Sequence, residues 1–182
     1  GGRVQVNGAL AVMEINGILT EQIFKKNRDR HEFYVEESYA IRWMYPYLTP
    51  HGLIMKINHD PVDYTAKTVR DDMDFWDWYV RRLLNDPKYP RDFVARKSFS
   101  KLRGAIAGTY STRRMLEPAE RAFQEARMLY VYSPEANLRL IQEVLLPRGR
   151  VDESLRMLEL LKELDPNNTK IPIDEIRTLK QA

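Results

Sequence analysis

The sequence predicts a mostly helical α+β protein, in which a small three-stranded α/β unit precedes an array of α-hairpins. Two observations favour this class. Apolar residues recur at steps of three and four over most of the chain, which is the period of an α-helix. Short runs that alternate polar and apolar residues lie near the N-terminus and are typical of strands. The expected organisation is the α/β unit at 1–62, a linking helix at 63–90 and helical repeats at 91–182.

The composition limits the class of protein. The chain has 182 residues, of which 43% are hydrophobic, enough for a folded core. Its formal charge of +3 comes from 29 basic and 26 acidic residues, which are too dispersed for a nucleic-acid interface. The absence of cysteine excludes disulfides and thiolate metal sites. No run approaches the roughly twenty apolar residues of a spanning helix, and the Gly1-Gly2 start indicates a fragment of a longer protein.

The first helix is predicted at Asn7–Asn27, after a short strand at Arg3–Val6. Its apolar residues at steps of three and four are Val12, Ile15, Leu19 and Ile23. Gly17 lies inside this helix and lowers its propensity by about 1 kcal/mol relative to alanine. The densest basic run, at 25–31, comes next, and we interpret it as a solvated helix end, where cations are favourable.

Two further strands are expected at Glu32–Ser38 and Gly52–Asn58, with a short aromatic helix at Tyr39–Leu48 between them. Pro46 and Pro50 are expected to close that helix. The order strand, helix, strand, short helix, strand is typical of a small α/β unit. It suggests a partly parallel sheet.

The linking helix is predicted at Tyr64–Leu84. Its apolar stripe consists of Val69, Met73, Trp76, Val80 and Leu83. Trp76 and Trp78 lie two residues apart, so at most one of them can occupy the centre of that stripe. The acidic run 71–74 lacks the glycine and terminal glutamate of a calcium loop, and we interpret it as a solvated helix face.

The stretch 133–168 predicts two helices joined by a tight turn. The first helix begins at Ser133-Pro134, a capping residue followed by a proline in the first helical position. Pro147 and Gly149 break the helical pattern. The apolar residues at helical spacing are Leu138, Ile141 and Leu145 in the first helix, and Leu155, Leu158, Leu161 and Leu164 in the second.

These two helices resemble a tetratricopeptide repeat. The family's small, large, small and proline positions in the second helix fall on Ser154, Leu158, Leu161 and Pro166. Leu161 departs from the family's small residue, which would set the helices further apart. An earlier copy, in which Val131 replaces the proline, has matching residues at Ile106, Ala107, Tyr110, Ala119, Phe123 and Ala126. An ordinary helical bundle is the alternative, because any amphipathic hairpin shows similar spacing.

The repeat resemblance implies a partner site. In tetratricopeptide proteins the inner face of each first helix binds extended peptides, and that face would consist here of Lys101, Gly104, Gly108, Arg139 and Glu143. Lys101 and Arg139 would hold a carboxylate or an acidic peptide. The alternatives are that the two glycines permit close helix packing and that the charged residues are ordinary solvent-facing ones. A final apolar face at Ile173, Ile176 and Leu179 predicts a covering helix or the start of a further repeat.

A second resemblance lies in the α/β unit. It is carried by the runs Phe33–Ser38, Trp43–Leu48 and Pro50–Leu53. They are similar to the soluble C-terminal part of an uncharacterised family of bacterial multi-spanning membrane proteins related to protein O-mannosyltransferases. The resemblance implies an accessory domain on the extracytoplasmic side of a membrane, whose parent transfers a lipid-linked sugar in its membrane-embedded part. A cytoplasmic location is the alternative.

The resulting function hypothesis is a non-catalytic protein-interaction or scaffolding domain, the soluble tail of a glycosyltransferase-like membrane protein. The alternative is a domain that binds sugar or lipid-linked sugar through Trp43, Tyr45, Tyr47 and His51. A third hypothesis is a structural role that stabilises or dimerises the parent. No catalytic pair is expected, because Glu36 and Glu37 are neighbours on a strand and point to opposite faces. No metal or cofactor is expected, because the histidines lack partners at ligand spacing.

Overall fold

The computed structural model describes residues 8–36, 41–164, 166–167 and 171. The mostly helical α+β class is confirmed. The predicted strand at Arg3–Val6 and the predicted last helix with Ile173, Ile176 and Leu179 lie outside the described residues. In chain order the elements are α1 (Ala9–Asn27), β1 (Phe33–Val35), a 3₁₀ helix (Arg42–Tyr47), β2 (Leu48–His51), β3 (Ile54–Ile57), α2 (Ala66–Leu84), a 3₁₀ turn (Tyr89–Arg91), α3 (Phe93–Thr112), α4 (Leu116–Leu129), α5 (Pro134–Leu140), a π-helical segment (Ile141–Leu145), a 3₁₀ turn (Leu146–Arg148) and α6 (Val151–Leu164).

The sheet has the order β1–β3–β2, and both pairings are antiparallel. The prediction of a partly parallel sheet is therefore wrong. Its cause is strand β2, where we expected no strand: Leu48 was assigned to the end of the aromatic helix, and Pro50 was expected to close that helix. Proline is tolerated there because β2 is an edge strand. Gly52 has a φ of 64° and forms the tight turn to β3, so the predicted strand at Gly52–Asn58 begins only at Ile54.

Helix α2 ends at Leu84, as predicted, and begins at Ala66, two residues after the predicted start at Tyr64. Thr65 caps its N-terminus by accepting a hydrogen bond from the Thr68 backbone N–H at 3.1 Å. Trp76 is fully buried, whereas Trp78 is 55% exposed, as the two-residue spacing required. The helix contacts β2 on one side and α4 on the other, and so lies between the sheet and the hairpins.

The C-terminal half consists of the helical hairpins α3–α4 and α5–α6. The small residues Ala119 and Ala126 are fully buried and let α4 approach α3 closely. Ser133 caps α5 by accepting a hydrogen bond from the Ala136 N–H at 3.2 Å, and Gly149 closes the turn before α6 with a φ of 70°. Beyond Leu140 the predicted helix continues as the π-helical segment and a 3₁₀ turn. This arrangement fits a repeat pair or a bundle equally well, so the tetratricopeptide assignment stays a prediction.

One hydrophobic core runs from Phe24 in α1 to Leu161 in α6. The Arg113 side chain also joins the sheet region to the hairpins. Arg113, just after α3, donates from Nη2 to the carbonyl oxygens of Tyr45 at 2.7 Å and Leu48 at 3.1 Å. Its guanidinium lies 4.0 Å from the centre of the Tyr64 ring. These contacts fix the α/β unit against the end of α3.

Candidate functional site

Helix α1 is apolar on two sides. Gly17 and Phe24 are buried on the side that packs against the rest of the chain. The opposite side carries large apolar side chains that are 37–58% exposed. We call this set the outward stripe of α1, and its members are Val12, Ile15, Ile18, Leu19 and Ile23. Four of them are the residues whose spacing predicted the helix. A helix that is apolar all round is normally buried all round, so the outward stripe is suited to a partner.

The inner side of α1 is firmly held. A Cβ atom added at Gly17 would lie 3.1 Å from Cγ2 of Ile41, so glycine permits this close approach. The Trp43 indole N–H donates to the Thr20 hydroxyl at 3.2 Å. The Phe24 ring lies 5.2–5.5 Å, between ring centres, from the rings of Phe33, Trp43 and Tyr47. This anchoring fixes which side of α1 faces outwards.

An apolar cavity of about 380 Å³ adjoins the outward stripe. It lies between α1, the edge strand β1 and the aromatic 3₁₀ helix, and Ile23 belongs both to its lining and to the stripe. The other lining residues are Asn16, Thr20, Phe24, Phe33, Tyr34, Val35, Ile41, Trp43, Met44 and Ile57. Ile23 therefore connects the stripe with this cavity.

The four residues predicted to bind sugar do not share one cavity. Trp43 lines the cavity beside α1, and Tyr47 packs on Phe24 at 5.4 Å between ring centres. Tyr45 lines a separate cavity of about 300 Å³ that is bounded by Arg113. His51 lines a third, of about 440 Å³, with polar side chains of α2. The 3₁₀ twist of 42–47 turns successive aromatic side chains in different directions, which the sequence pattern did not reveal.

The five residues predicted to form a peptide groove are placed differently. Gly104, Gly108, Arg139 and Glu143 come together where α3 meets α5, but the Arg139 side chain itself occupies the space over Gly108. Arg139 donates to the Gly104 carbonyl oxygen at 3.2 Å and to the Glu143 carboxylate at 2.7 Å. Ser111 also donates to Glu143. Lys101 is exposed at the edge of this contact. The Arg139 side chain therefore fills the space over Gly108, whereas a Cβ atom at Gly104 would have no neighbour within 4 Å. Whether this face binds a peptide stays a prediction.

A buried ionic network lies between α2, α3 and α4, and sequence reasoning missed it. Arg103 is fully buried and donates to Asp72 at 2.8 Å and to Glu125 at 2.7 Å. The Tyr110 hydroxyl donates to the same Asp72 oxygen at 2.7 Å, and burial together with Asp72 raises the pKa of Tyr110. The interpretation of 71–74 as a solvated face is therefore wrong for Asp72. A signal was present, since Asp72 lies four residues before the buried Trp76.

The network is a structural feature, because Arg103 pairs with both carboxylates inside the core, and the Tyr110 hydroxyl and the half-exposed Arg121 donate to them as well. The Trp76 ring lies 5.0 Å from the Arg103 guanidinium carbon and covers it. Within the part of the chain that the structure describes, no three His, Asp or Glu side chains are grouped to hold a metal ion. Glu36 is exposed, and its neighbour Glu37 lies outside the described residues. None of the helices described is both long enough and apolar enough to cross a bilayer.

No protein-family model, curated protein or solved structure matches this chain. The two family resemblances, with the activity and location that they imply, therefore stay predictions. Among the described residues, the surface best suited to a partner is the outward stripe of α1, because its large apolar side chains are exposed on a firmly anchored helix.

Proposed function

We propose that this chain is a non-catalytic protein-interaction domain whose docking surface is the outward stripe of α1. One observation carries the proposal: five large apolar side chains, 37–58% exposed, follow one another along a single helix. Isolated exposed apolar residues are normal on protein surfaces, but a contiguous apolar patch usually marks an interaction site. The anchored inner side of α1 supports the proposal, because it presents the stripe as a rigid ridge.

The form of this surface favours a protein over a small ligand. Small-molecule sites are concave and carry a few converging polar groups. The outward stripe is convex and linear, as in helices that pair with another helix or enter a groove. A second apolar region, around Phe93 and Leu164, also lines a cavity. Ile171 belongs to its lining, and the residues on either side of Ile171 in the sequence lie outside the described residues, so we base no docking proposal on this cavity.

A photo-crosslinking experiment tests the proposal. A photo-crosslinking amino acid replaces Leu19 in the stripe, and in a matched control it replaces Met128 on α4, which is 59% exposed. Irradiation of cells that express the chain should give polypeptide adducts at position 19 and far fewer at position 128. Equal yields at both positions, or no polypeptide adduct at position 19, would contradict the proposal.

We further propose, from the sequence resemblance at Phe33–Leu53, that the domain is the extracytoplasmic tail of a glycosyltransferase-like membrane protein. The purified domain is then expected to transfer no sugar, because the reaction belongs to the membrane-embedded part. Transfer or hydrolysis of a lipid-linked sugar by the domain, lost in the Glu36→Gln variant, would overturn this assignment. That outcome would leave the docking role of α1 untouched.

A further inference from the structure

We propose that the end of the helical array at which α2 passes into α3 docks on an anionic bilayer. This surface consists of residues 81–97, which connect α2 to α3, and residues 130–133, which connect α4 to α5. We call it the basic end. The proposal goes beyond the docking role of α1, because a different surface of the molecule carries it.

Contacts between side chains bring the two connections together. The Tyr89 hydroxyl, between α2 and α3, donates to the Leu129 carbonyl oxygen at the end of α4, at 3.4 Å. The Phe93 and Tyr130 rings lie 5.6 Å apart between their centres. The Arg96 guanidinium carbon lies 5.4 Å from the centre of the same Tyr130 ring. The two connections therefore form one surface.

This surface is basic in a chain that is otherwise close to neutral. Of the 29 basic and 26 acidic residues, six and two fall between 81 and 97, so the charge is less dispersed than the composition suggests. Within the part of the chain that the structure describes, Arg81 alone among the six has a carboxylate at ion-pair distance, that of Asp77. The two acidic residues, Asp86 and Asp92, accept hydrogen bonds from backbone N–H groups. The other five cations are Arg82, Lys88, Arg91, Arg96 and Lys97.

Large apolar side chains are exposed among these cations. Val94 is 71% exposed, Phe93 is 55% exposed and Leu84 is 41% exposed. Val131 and Tyr132, in the turn between α4 and α5, are exposed as well. Exposed apolar side chains that lie close together usually mark an interaction site. Their combination with Lys and Arg is typical of surfaces that bind at a membrane interface.

Charge complementarity selects an anionic bilayer as the occupant. Each Lys or Arg near an anionic membrane surface strengthens binding by about fivefold. The aliphatic stems of these side chains lie along apolar surface while their charged ends reach the head groups. Val94 and Leu84 can then enter the boundary of the acyl chains, and the Tyr132 hydroxyl can stay at the level of the head groups.

Two other occupants fit the basic end less well. Proteins that bind single-stranded nucleic acids combine a basic groove with aromatic side chains on which the bases stack. Here Val94 is the most exposed apolar side chain, and Leu84 is aliphatic too, so neither offers a flat ring to a base. A second copy of the chain would bring two basic surfaces together, and like charges across an interface are unfavourable.

The basic end and the outward stripe of α1 lie at opposite ends of α3. Phe93 is the first residue of α3, whereas Arg113 directly follows its last residue and donates to the Tyr45 carbonyl oxygen in the aromatic 3₁₀ helix. Trp43 of that 3₁₀ helix in turn contacts Thr20 of α1. The 20 residues of α3 span about 30 Å. A bilayer at the basic end therefore leaves the stripe free for a protein partner.

Binding to vesicles tests the proposal. The purified chain is sedimented with vesicles of phosphatidylcholine alone and with vesicles that also contain about one third phosphatidylglycerol. It should bind the anionic vesicles at least about tenfold more tightly. Salt at about 0.5 M should weaken this binding, because it screens the charges. The absence of binding to the anionic vesicles would overturn the proposal.

Two double variants separate the charges from the apolar side chains. Lys88→Glu combined with Arg91→Glu should weaken vesicle binding by at least about tenfold, because two cations are lost and two anions are added. Leu84→Ser combined with Val94→Ser leaves the charge unchanged and should weaken binding by about tenfold, because less apolar surface enters the bilayer. Unchanged far-ultraviolet circular dichroism shows that the variants are folded.

Arg114→Glu is the matched control, since Arg114 is exposed just beyond the opposite end of α3. It should bind the anionic vesicles nearly as tightly as the wild type. A loss in Arg114→Glu per exchanged charge as large as that in the Lys88 and Arg91 variant would show that net charge alone attracts the chain, and would overturn the proposal.

A fluorescent reporter measures insertion directly. Since the chain has no cysteine, a single thiol can be introduced at one position and labelled with an environment-sensitive fluorophore. The label is placed at Val94→Cys and, as the control, at Arg114→Cys. Lipids with brominated acyl chains should quench the label at position 94 and leave the label at position 114 unchanged. Equal quenching at both positions would contradict the proposed orientation on the bilayer.

The remaining outcomes separate this proposal from its alternatives and from the proposed function. Binding to single-stranded DNA as tight as that to vesicles, and unchanged in the Leu84 and Val94 variant, would assign the basic end to nucleic acid. Vesicle binding that is lost in Leu19→Glu but kept in the Leu84 and Val94 variant would assign α1 to the bilayer and overturn both proposals. A chain that binds no vesicles but gives polypeptide adducts at position 19 keeps the docking role of α1 alone.

Discussion

Arg103 is the most deeply buried charged residue in the part of the chain that the structure describes. Its side chain is fully buried, and the carboxylates of Asp72 and Glu125 neutralise it from two neighbouring helices. Charges are transferred out of water at a large cost, which close pairing only just offsets. Such a network adds little net stability, but it links three helices, because Arg103 on α3 pairs with Asp72 on α2 and with Glu125 on α4.

We predict that Arg103→Leu lowers the free energy of unfolding by about 3–5 kcal/mol, because it leaves two carboxylates buried without their cation. Urea unfolding followed by circular dichroism measures the loss. Arg121→Leu is the control, since that side chain is half exposed while it contacts the same Glu125 at 3.0 Å. The control should cost less than about 1 kcal/mol. Similar losses in both variants would show that the buried network has no special role.

The residue scale is also where sequence reasoning was least complete. The period of α2 placed Trp76 in the core correctly, and the same period places Asp72 one turn before it. A charged residue on an apolar face predicts a buried partner, but the sequence does not say where that partner lies. Arg103 is thirty-one residues further along the chain, and only the packing of α3 against α2 brings the two together.

At the scale of the elements, α3 and α5 meet through two glycines with different surroundings. A Cβ atom at Gly104 would have no neighbour within 4 Å, whereas one at Gly108 would collide with the Arg139 guanidinium. Both glycines lie inside α3, so the gain in helix propensity on substitution is the same. The difference in the free energy of unfolding between the two alanine variants therefore isolates the contribution of the Arg139 contact.

We predict that Gly104→Ala raises the free energy of unfolding by about 0.5–1 kcal/mol through helix propensity alone. Gly108→Ala should be less stable than Gly104→Ala by about 1–2 kcal/mol, because Arg139 must leave its hydrogen bonds. Thermal and urea unfolding of both variants provide the comparison. In an Arg139→Ala background the two alanine variants should become equal. A difference that persists there would mean that Arg139 is not its cause.

The elements themselves were predicted unevenly, for physical reasons. Helical periodicity located α1 and α2 closely, because a repeat of three and four residues is a strong local signal. Periodicity reveals that a face is apolar but not what covers it, so the stripe that predicted α1 became its exposed side. Strand β2 was missed because Pro50 is read locally as a breaker, whereas its tolerance depends on the strand's place at the sheet edge.

At the scale of the whole molecule, the sheet region and the hairpins share one core, and Arg113 fixes their relative position. Its guanidinium donates to the backbone carbonyl oxygens of Tyr45, Leu48 and Val62. Tyr45 and Val62 lie outside the strands, where no sheet ladder pairs the backbone groups. A donor from outside the unit therefore stabilises their carbonyl oxygens. Sequence could not predict this contact, because nothing in the local pattern around 113 points to residues more than fifty positions earlier.

We predict that Arg113→Met lowers the free energy of unfolding by about 2–3 kcal/mol, because charge-assisted hydrogen bonds are lost while the side-chain volume is nearly kept. Arg114→Met is the matched control, since Arg114 is the next residue and is exposed. It should change the free energy by less than about 0.5 kcal/mol. Urea unfolding followed by both circular dichroism and tryptophan fluorescence provides the measurement. Equal effects of the two substitutions would contradict a clamping role for Arg113.

The same junction makes the fold sensitive to alkaline pH. Burial raises the pKa of Tyr64 to about 12, although Arg113 over its ring opposes the shift. In the unfolded chain a tyrosine has a pKa of about 10. Between these values the unfolded state has lost the proton that the folded state keeps, so stability falls as pH rises. Each such tyrosine lowers the free energy of unfolding by about 1.4 kcal/mol per pH unit in this window.

We therefore predict that the order of stability of the wild type and the Tyr64→Phe variant reverses at high pH. Below pH 10 it should be less stable than the wild type by about 1 kcal/mol, because it lacks the hydrogen bond from the Tyr64 hydroxyl to Thr109, 2.9 Å long. Above pH 10 the wild type loses stability faster than the variant. The difference between their free energies of unfolding should therefore reach zero near pH 11 and then change sign. Urea unfolding at several values from pH 8 to 11.5 gives the two curves. Tyr132→Phe removes an exposed hydroxyl and should follow the wild type throughout. A constant gap for Tyr64→Phe at every pH would mean that the Tyr64 hydroxyl keeps its ordinary pKa in the folded state, and that the junction is open to water.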